Sequence, residues 1–347
     1  MRTLTLTPPV RPSSQTKILI GGGAGSAIPS EIKLGAYDRI ACVYDNGVAS
    51  IARDIAGTLG ECTMLPVENG DASKSLAEAD RLAMLMLDAG CTKNSLLVCI
   101  GGGMVSDLGG FLASVFMRGI PCVLVPTSFL AMVDAAIGGK TAVNAGGRKN
   151  MIGSIAHPMC VAIDPVYLQG LATAQMAEGM VEVIKIAAMV DRPLFEWLES
   201  SVSRILGGDA ALLEECIVRA VEAKVRIVKQ DDHDRDARLL LNFGHTVGHA
   251  VEALSRYELS HGAAVSIGMV AEMKALGSKD LERVLALLKA IGTPLSLPSS
   301  MSMNALWEVM LSDKKNEKGT IRCAIPVHIG EGAVQSLHSD QFRTLFS

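Results

Sequence analysis

The sequence predicts an α/β amino-terminal domain followed by an all-α carboxy-terminal domain. Three observations carry that reading. Between residue 17 and about 171, short apolar runs (KILIG, RIACVY, CTMLP, LLVCI, PCVLVP, CVAID) alternate with amphipathic stretches, the pattern of a largely parallel sheet with helices between its strands. From Ala172 onward, segments such as MAEGMVEVIKIAAMV, ALLEECIVRAVEAKVRIV and DLERVLALLKAIG keep helical period with almost no strand signal. The chain has 347 residues, 49% of them hydrophobic, enough for two cores. The expected domains are 1–171 and 172–347, and the cleft between two such domains is a preferred place for a small molecule. Aromatics make up only 4% of the chain, so the cores must be aliphatic.

In chain order, MRTLTLTPPVRPSSQTK reads as a loosely ordered leader without the continuous apolar segment of a signal peptide. No later stretch reaches the length of a membrane span. The net charge is −4 and there is no long basic run, so nothing favours nucleic acid or an anionic membrane as partner. Cys42, Cys62, Cys91, Cys99, Cys122, Cys160, Cys216 and Cys323 form no CxxC pair, and several lie in strand-like runs. They read as thiols of a reducing cytoplasm, not as a disulfide or metal framework. Asp45, just past the second strand, is placed where a carboxylate could bind a ribose, and equally reads as the turn residue of Asp-Asn-Gly.

The stretch of greatest interest runs from Leu97 to Gly153. Leu96 to Ile100 reads as a buried strand, Gly101-Gly102-Gly103 as a loop without Cβ atoms, and Val105 to Met117 as a helix with Asp107 in its first turn. Glycines let backbone N–H groups approach a phosphate, and a helix N-terminus adds partial positive charge. Because GGG lacks the GxGxxG spacing, the loop alone is equally a tight turn. Beyond it, Arg118 ends the helix, Pro126-Thr127-Ser128 ends the next strand, and VDAAIGGKTAVN and GRKNMIG follow. Asp134, Lys140, Asn144, Arg148, Lys149 and Asn150 are spaced there by small and apolar residues. Unpaired buried charge is costly, so the pattern points to a polar pocket over a solvated loop. Further on, His245 and His249 are four apart and share one helix face, where both could bind a metal.

The runs GGGMVSDLGGF, MRG, VPTSFLAMVDAAIGGKTAVN, KNMIG, EVIK (Glu182–Lys185), RLLLNFGHTVGHAVE (Arg238–Glu252) and HGAAVSIGM (His261–Met269) resemble the 3-dehydroquinate synthases of the sugar-phosphate cyclase superfamily. The resemblance extends in order from about Asp45 to Lys315. It implies a Rossmann-like NAD-binding first domain and a helical metal- and substrate-binding second domain. It implies NAD and zinc as cofactors, with cobalt as an alternative metal. The reaction it implies converts 3-deoxy-D-arabino-heptulosonate 7-phosphate into 3-dehydroquinate and phosphate. A carbinol is oxidised by NAD, phosphate leaves by β-elimination and is thought to act as its own base, the hydride returns, and an aldol step closes the ring.

By the same resemblance the metal ligands are Glu182, His245 and His261, which leaves His249 to the substrate phosphate and corrects the pairing of the two histidines. Lys140, Asn150, Asn242 and His249 hold that phosphate, and Arg118 reaches it from the neighbouring subunit of a homodimer. Asp134, Lys185, Lys224 and Asp234 line the hydroxyl side. Arg238 offers a planar fork to the carboxylate, and one of Lys314 and Lys315 closes the pocket. The cofactor set is Asp45, Asp71, Lys74, Gly102, Gly103, Asp107, Thr127, Ser128 and Lys149. Several positions depart from the family pattern: Gly47 stands for Asn, Asp71 for Glu, Gly170 and Ala172 for the Thr and Pro of a TLP-like turn, Gln175 for Glu, Asp234 for Glu and Ala263 for Glu. Most border the NAD site, so looser cofactor binding is expected. The competing readings are a cyclase on an amino or neutral sugar phosphate, a metal-dependent polyol dehydrogenase of similar two-domain plan, and a non-catalytic sugar-phosphate binder.

Overall fold

The computed structural model describes residues 15–231, 237–299, 301–311 and 321–343. In chain order the strands of the first half are β1 (Lys17–Ile20), β2 (Ile40–Asp45), β3 (Thr63–Val67), β4 (Leu96–Gly101), β5 (Cys122–Pro126), β6 (Lys140–Ala145), β7 (Arg148–Ile155) and β8 (Cys160–Ile163). Six of them form one parallel sheet in the order β1-β8-β5-β4-β2-β3. These are the six apolar runs of the sequence. The period-two geometry of a strand sends alternate residues to opposite faces. Leu96, Val98 and Ile100 pack with Ile28, Ala52 and Ile55 from α1 (Ile28–Glu31) and α2 (Ala49–Leu59). Leu97 and Cys99 pack on the other face with Leu82 and Met86 of α3 (Leu76–Asp88) and Leu108 and Phe111 of α4 (Gly103–Val115).

The connection β2 to β3 runs toward one sheet edge and β4 to β5 toward the other, so the strand order reverses beside β4. Ligands of open α/β sheets bind outside the carboxyl ends of strands at such a reversal. Gly101 ends β4 there, and a Cβ on it would stand 3.3 Å from Asp45 Cβ at the end of β2.

Between β5 and β8 the chain makes an antiparallel hairpin, β6 with β7, turned at Gly146-Gly147, whose φ angles are +58° and +73°. Glycine adopts such a pair at the least steric cost. The polar spacing of this window shows in the sequence, and the hairpin that builds it does not. A π-helical turn over Ala131–Ala135 precedes the hairpin and carries Asp134.

The second half holds α5 (Thr173–Val190), α6 (Arg192–Leu206), α7 (Ala210–Gln230), α8 (His245–Leu254), α9 (His261–Ala275), α10 (Leu281–Ala290) and α11 (Met303–Leu311). It is helical as expected, with one addition: β9 (Ile321–His328) and β10 (Glu331–Leu337) form a two-stranded hairpin before α12 (Ser339–Arg343). The sequence did not declare β9, because four consecutive residues, Cys323 to Pro326, are buried and hide the alternation. Helix α5 is buried on nearly every side, Glu182 and Lys185 included. One continuous core joins Phe129 and Met132 of the first half to Met180 and Ile184 of α5. Among the described residues no helix is long and apolar enough to cross a membrane.

Candidate active site

Glu182 projects from the middle of α5, His245 is the first residue of α8, and His261 is the first of α9. One ligand atom from each falls within a 4.8 Å group. Glu182 Oε1 lies 3.8 Å from His245 Nε2 and 3.4 Å from His261 Nε2, fully buried and without a well-formed hydrogen bond. His245 Nδ1 lies 3.1 Å from the Phe243 carbonyl, which accepts its proton and leaves Nε2 as a lone pair. An orphaned carboxylate oxygen facing two imidazole nitrogens is the donor set of a divalent metal with open positions, and zinc suits it. Burial, helped by the Lys185 ammonium, holds the His245 pKa well below its ordinary value. Burial would likewise lower His261, but its contacts with Glu182 and Glu252 overcome that and raise it to about 10. His249 packs edge-on to His245, ring centroids 5.2 Å apart, and falls outside the ligand group among the described residues.

A chain of buried charge leads away from the metal group. The Lys185 ammonium is paired with Glu182 Oε2 and stands 3.9 Å from Asp134 Oδ1. Lys224 of α7 donates to the Asp134 carboxylate at 2.6 Å and to its carbonyl at 2.5 Å. Burial opposes ionisation of Asp134 and Glu182, and the lysines beside them win, holding both carboxyls below the usual range. Lys224 goes the other way: its burial, with Lys185 nearby, outweighs Asp134 and lowers its pKa. A lysine so perturbed in a cleft is a candidate for proton handling.

The glycine loop adjoins this cluster. A Cβ on Gly103 would stand 3.3 Å from Ala135 Cβ, next to Asp134, and one on Gly102 would stand 3.3 Å from Ser128 Oγ. Gly102 is the N-cap of α4 and supplies no side-chain cap. The first backbone N–H groups of α4 therefore lack that partner, which fits an anionic cofactor phosphate. Thr127 donates its backbone N–H to the Gly101 carbonyl at 2.9 Å. Lys74 is buried and donates to Asp107 Oδ2 and Asn150 Oδ1, each at 2.5 Å. Burial pushes the Asp107 carboxyl up, against the pull of Lys74. Lys149 reaches Asp71 Oδ2 and Glu252 Oε1, each at 3.2 Å, and lies 4.5 Å from the centroid of the Tyr257 ring.

Family models match both halves: 3-dehydroquinate synthase N-terminal over residues 64–178 and 3-dehydroquinate synthase C-terminal over residues 179–316. The chain belongs to the 3-dehydroquinate synthase family. The 3-dehydroquinate synthase of Pelobacter propionicus is 38% identical over 341 residues, 94% of this chain and 95% of that one. Two solved structures share the fold. A 2-deoxy-scyllo-inosose synthase complexed with carbaglucose-6-phosphate, NAD+ and Co2+ superposes with a TM-score of 0.86 at 23% identity, over 94% of this chain and 95% of that one. The 2-epi-5-epi-valiolone synthase of Streptomyces hygroscopicus, with NAD+ and Zn2+ bound, gives a TM-score of 0.86 at 24% identity, over 99% of this chain and 98% of that one.

The residues that the family resemblance singled out fall around this centre to different degrees. Glu182, Lys185, Asp134, Lys224, His245, His249 and His261 form one continuous cluster. Arg238 is 2% exposed, and its Nη1 donates to the Gly138 carbonyl at 3.0 Å. Gly138, at φ +105°, leaves room for that guanidinium: a Cβ there would meet Nη2 at 2.6 Å. Asn242 donates through Nδ2 to the Leu239 carbonyl. Lys140 is exposed at the start of β6. Asn150 adopts φ +56° and donates its backbone N–H to Asn144 Oδ1 at 3.0 Å. Asp45 does serve the local turn, its Oδ1 accepting from Gly47 N at 2.7 Å. Gln175 Oε1 accepts from the Ala172 backbone at the start of α5. Asp234, Lys314 and Lys315 lie outside the described residues.

Glu252 and Glu272 were given no role in the sequence, and Asn144, read there only as part of the polar window, takes a defined place. Glu252 lies against His261 and Lys149. Asn144 joins Asn150 to the 71–74 turn by donating its backbone N–H to the Lys74 carbonyl and its side chain to that of Asp71. Glu272 of α9, fully buried, accepts from Gly244 N at 2.8 Å and Val247 N at 3.0 Å, capping the helix that carries both histidines. The signal for Glu252 was present, since His245, His249 and Glu252 are spaced i, i+4, i+7 and share one helix face. Glu272 offered none, because its acceptors serve backbone groups of another helix.

Proposed function

We propose that the chain converts 3-deoxy-D-arabino-heptulosonate 7-phosphate into 3-dehydroquinate and phosphate, in the cytoplasm, with NAD and zinc. The observation that carries the reading is the Glu182–His245–His261 group set into one charged cluster with Lys185, Asp134 and Lys224, beside the Gly101–Gly103 loop. Glu182, His245 and His261 would hold the metal. Gly102, Gly103, Asp107, Lys74, Thr127, Ser128, Asp45, Asp71 and Lys149 would hold the cofactor. Bound NAD would supply a reversible hydride acceptor, and bound zinc a Lewis acid for the oxygen being oxidised. Lys224, its pKa lowered, and Asp134 would hold and pass a hydroxyl proton. Lys140, Asn150, Asn242 and His249 would bind the phosphate that leaves, and Arg238 the carboxylate.

A homodimer would complete the site through Arg118. Met117 and Arg118 have φ of 47° and 70° at the end of α4. The Ser154–Ser114 hydroxyl bond at 2.7 Å holds β7 against that end. Val115 and Met117 at that end, and Met151, Ile152 and Ile155 of β7, are exposed, apolar surface that supports a second copy as its cover. The eight free thiols support a reducing compartment.

The test is substrate discrimination by phosphate release. The acid phosphate should turn over, while sedoheptulose 7-phosphate and glucose 6-phosphate should not, because a neutral sugar offers the Arg238 guanidinium no carboxylate. Loss of one member of a desolvated charge pair costs about 2–5 kcal/mol, so Arg238→Ala should lose most of kcat/KM on the acid. Faster release from a neutral sugar phosphate would reject the substrate assignment. For the shared site, Arg118→Ala mixed with Lys140→Ala should regain activity. A mixture shown to exchange subunits yet remaining inactive would reject it.

A further inference from the structure

We propose that Glu252 is a positioning residue for two sites at once, one carboxylate oxygen orienting the metal ligand His261 and the other the cofactor-side Lys149. The inference rests on the reading just given for those two residues. Glu252 is 3% exposed on α8 and turns toward the same side as His245 and His249. Its Oε2 lies 3.5 Å from His261 Nδ1, and its Oε1 lies 3.2 Å from Lys149 Nζ. His261 Nε2 faces Glu182 Oε1, so when that nitrogen serves a metal the ring proton must reside on Nδ1. A carboxylate at Nδ1 then fixes the tautomer and the ring plane and raises the basicity of the ligand.

On the other side, Lys149 is a flexible four-carbon arm on the exposed strand β7. Asp71, the second anion beside it, has a side chain that is half exposed and so holds it weakly. The backbone of Glu252 adds to the same arrangement. Its carbonyl accepts from Tyr257 N at 2.9 Å and from Ser255 Oγ at 3.0 Å. That holds the turn, with Arg256 and Tyr257 at φ 52° and 63°, which lays the Tyr257 ring against Lys149. One side chain thus spans the metal ligand and the hairpin, which no other described residue does through a single carboxylate.

The test measures ligand binding directly, on purified full-length protein. Zinc affinity is read by competition with a chelator, and NAD affinity by titration of both zinc-loaded and metal-free protein. Glu252→Gln keeps the shape and removes the charge. It should weaken zinc about 10–100-fold and weaken NAD roughly two- to tenfold, the scale of one lost hydrogen bond, in metal-free protein as well. Lys149→Met should weaken NAD by a similar factor and leave zinc within about twofold. If Glu252→Gln does not fold, Glu252→Asp, charged but one methylene short, should weaken both ligands. An Asp or Gln variant that folds with either affinity unchanged overturns the inference, whatever its melting temperature. Wild-type protein that binds neither zinc nor NAD overturns the proposed function and this inference with it.

Discussion

Replacing Gly268 with Ala should separate two of the proposed metal ligands, which lie on different helices. Gly268 of α9 packs on the start of α8 so closely that an added Cβ would stand 1.9 Å from the Gly244 carbonyl oxygen and 2.8 Å from Gly248 N. Real Cβ atoms essentially never approach within 3.0 Å, and both neighbours are backbone. The helices must therefore part by about 1 Å, and overpacking of this kind typically costs about 1–3 kcal/mol. His245 rides on α8 and His261 on α9, so the same movement pulls them apart, far beyond the ~0.2 Å tolerance of a zinc site. The variant should melt several degrees lower and bind zinc at least about tenfold more weakly by chelator competition, with NAD affinity less affected. Wild-type zinc affinity in folded Gly268→Ala would refute the reasoning, because it would mean that the close approach of α8 and α9 does not set the ligand spacing.

Lys185→Met leaves the buried Glu182 carboxylate without its lysine, a loss of about 3–5 kcal/mol when one partner of a buried pair is removed. A bound zinc compensates the same charge, so the fall in melting temperature should be larger after chelation than in zinc-loaded protein, and equal falls would argue against it. Burial pushes the Glu272 carboxyl up to about 8, over the opposing hydrogen bonds from Val247 and Gly244. A group raised in the folded state stabilises while it keeps its proton, fully below its unfolded value, and that contribution is lost as pH rises through about 8. Denaturant melts should show this decline between about pH 5 and 8.5 in wild type and lack it in Glu272→Gln, which cannot ionise. Identical slopes would exclude Glu272 as its source. The shortened side chains at Gly47 and Asp71, with Asp71 paired to Lys149, should let NAD wash out during purification. Full cofactor occupancy after dialysis would contradict that.

How much of this was legible in the sequence depended on the range of the signal. The six sheet strands could be read because each is a short apolar run closed by a turn, and in a parallel sheet both strand faces are buried. The long helices showed through their period. Hairpin β6–β7 was obscured because charged residues and glycines interrupt it and the apolar residues of β7, Met151, Ile152 and Ile155, are exposed, so no buried alternation marks it as a strand. The spacing of His245 and His249 suggested a shared metal. Spacing along one helix cannot reveal that Glu182 and His261 arrive from α5 and α9, and only the family resemblance separated the two histidines. The Asp134–Lys224 pair, 90 residues apart, and the Glu272 cap likewise depend on helix packing that no local pattern encodes.

An enzyme that performs an oxidation and its reversal on one bound molecule needs NAD but does not consume it. The most direct measurement follows phosphate release and NADH absorbance together, with the seven-carbon acid phosphate, zinc and a trace of NAD. The expected result is many phosphates released per NAD present, 3-dehydroquinate as product, no accumulated NADH, and loss of turnover on chelation with recovery on added zinc. NADH rising in step with substrate consumption, or phosphate release unaffected by removal of metal and NAD, would contradict it.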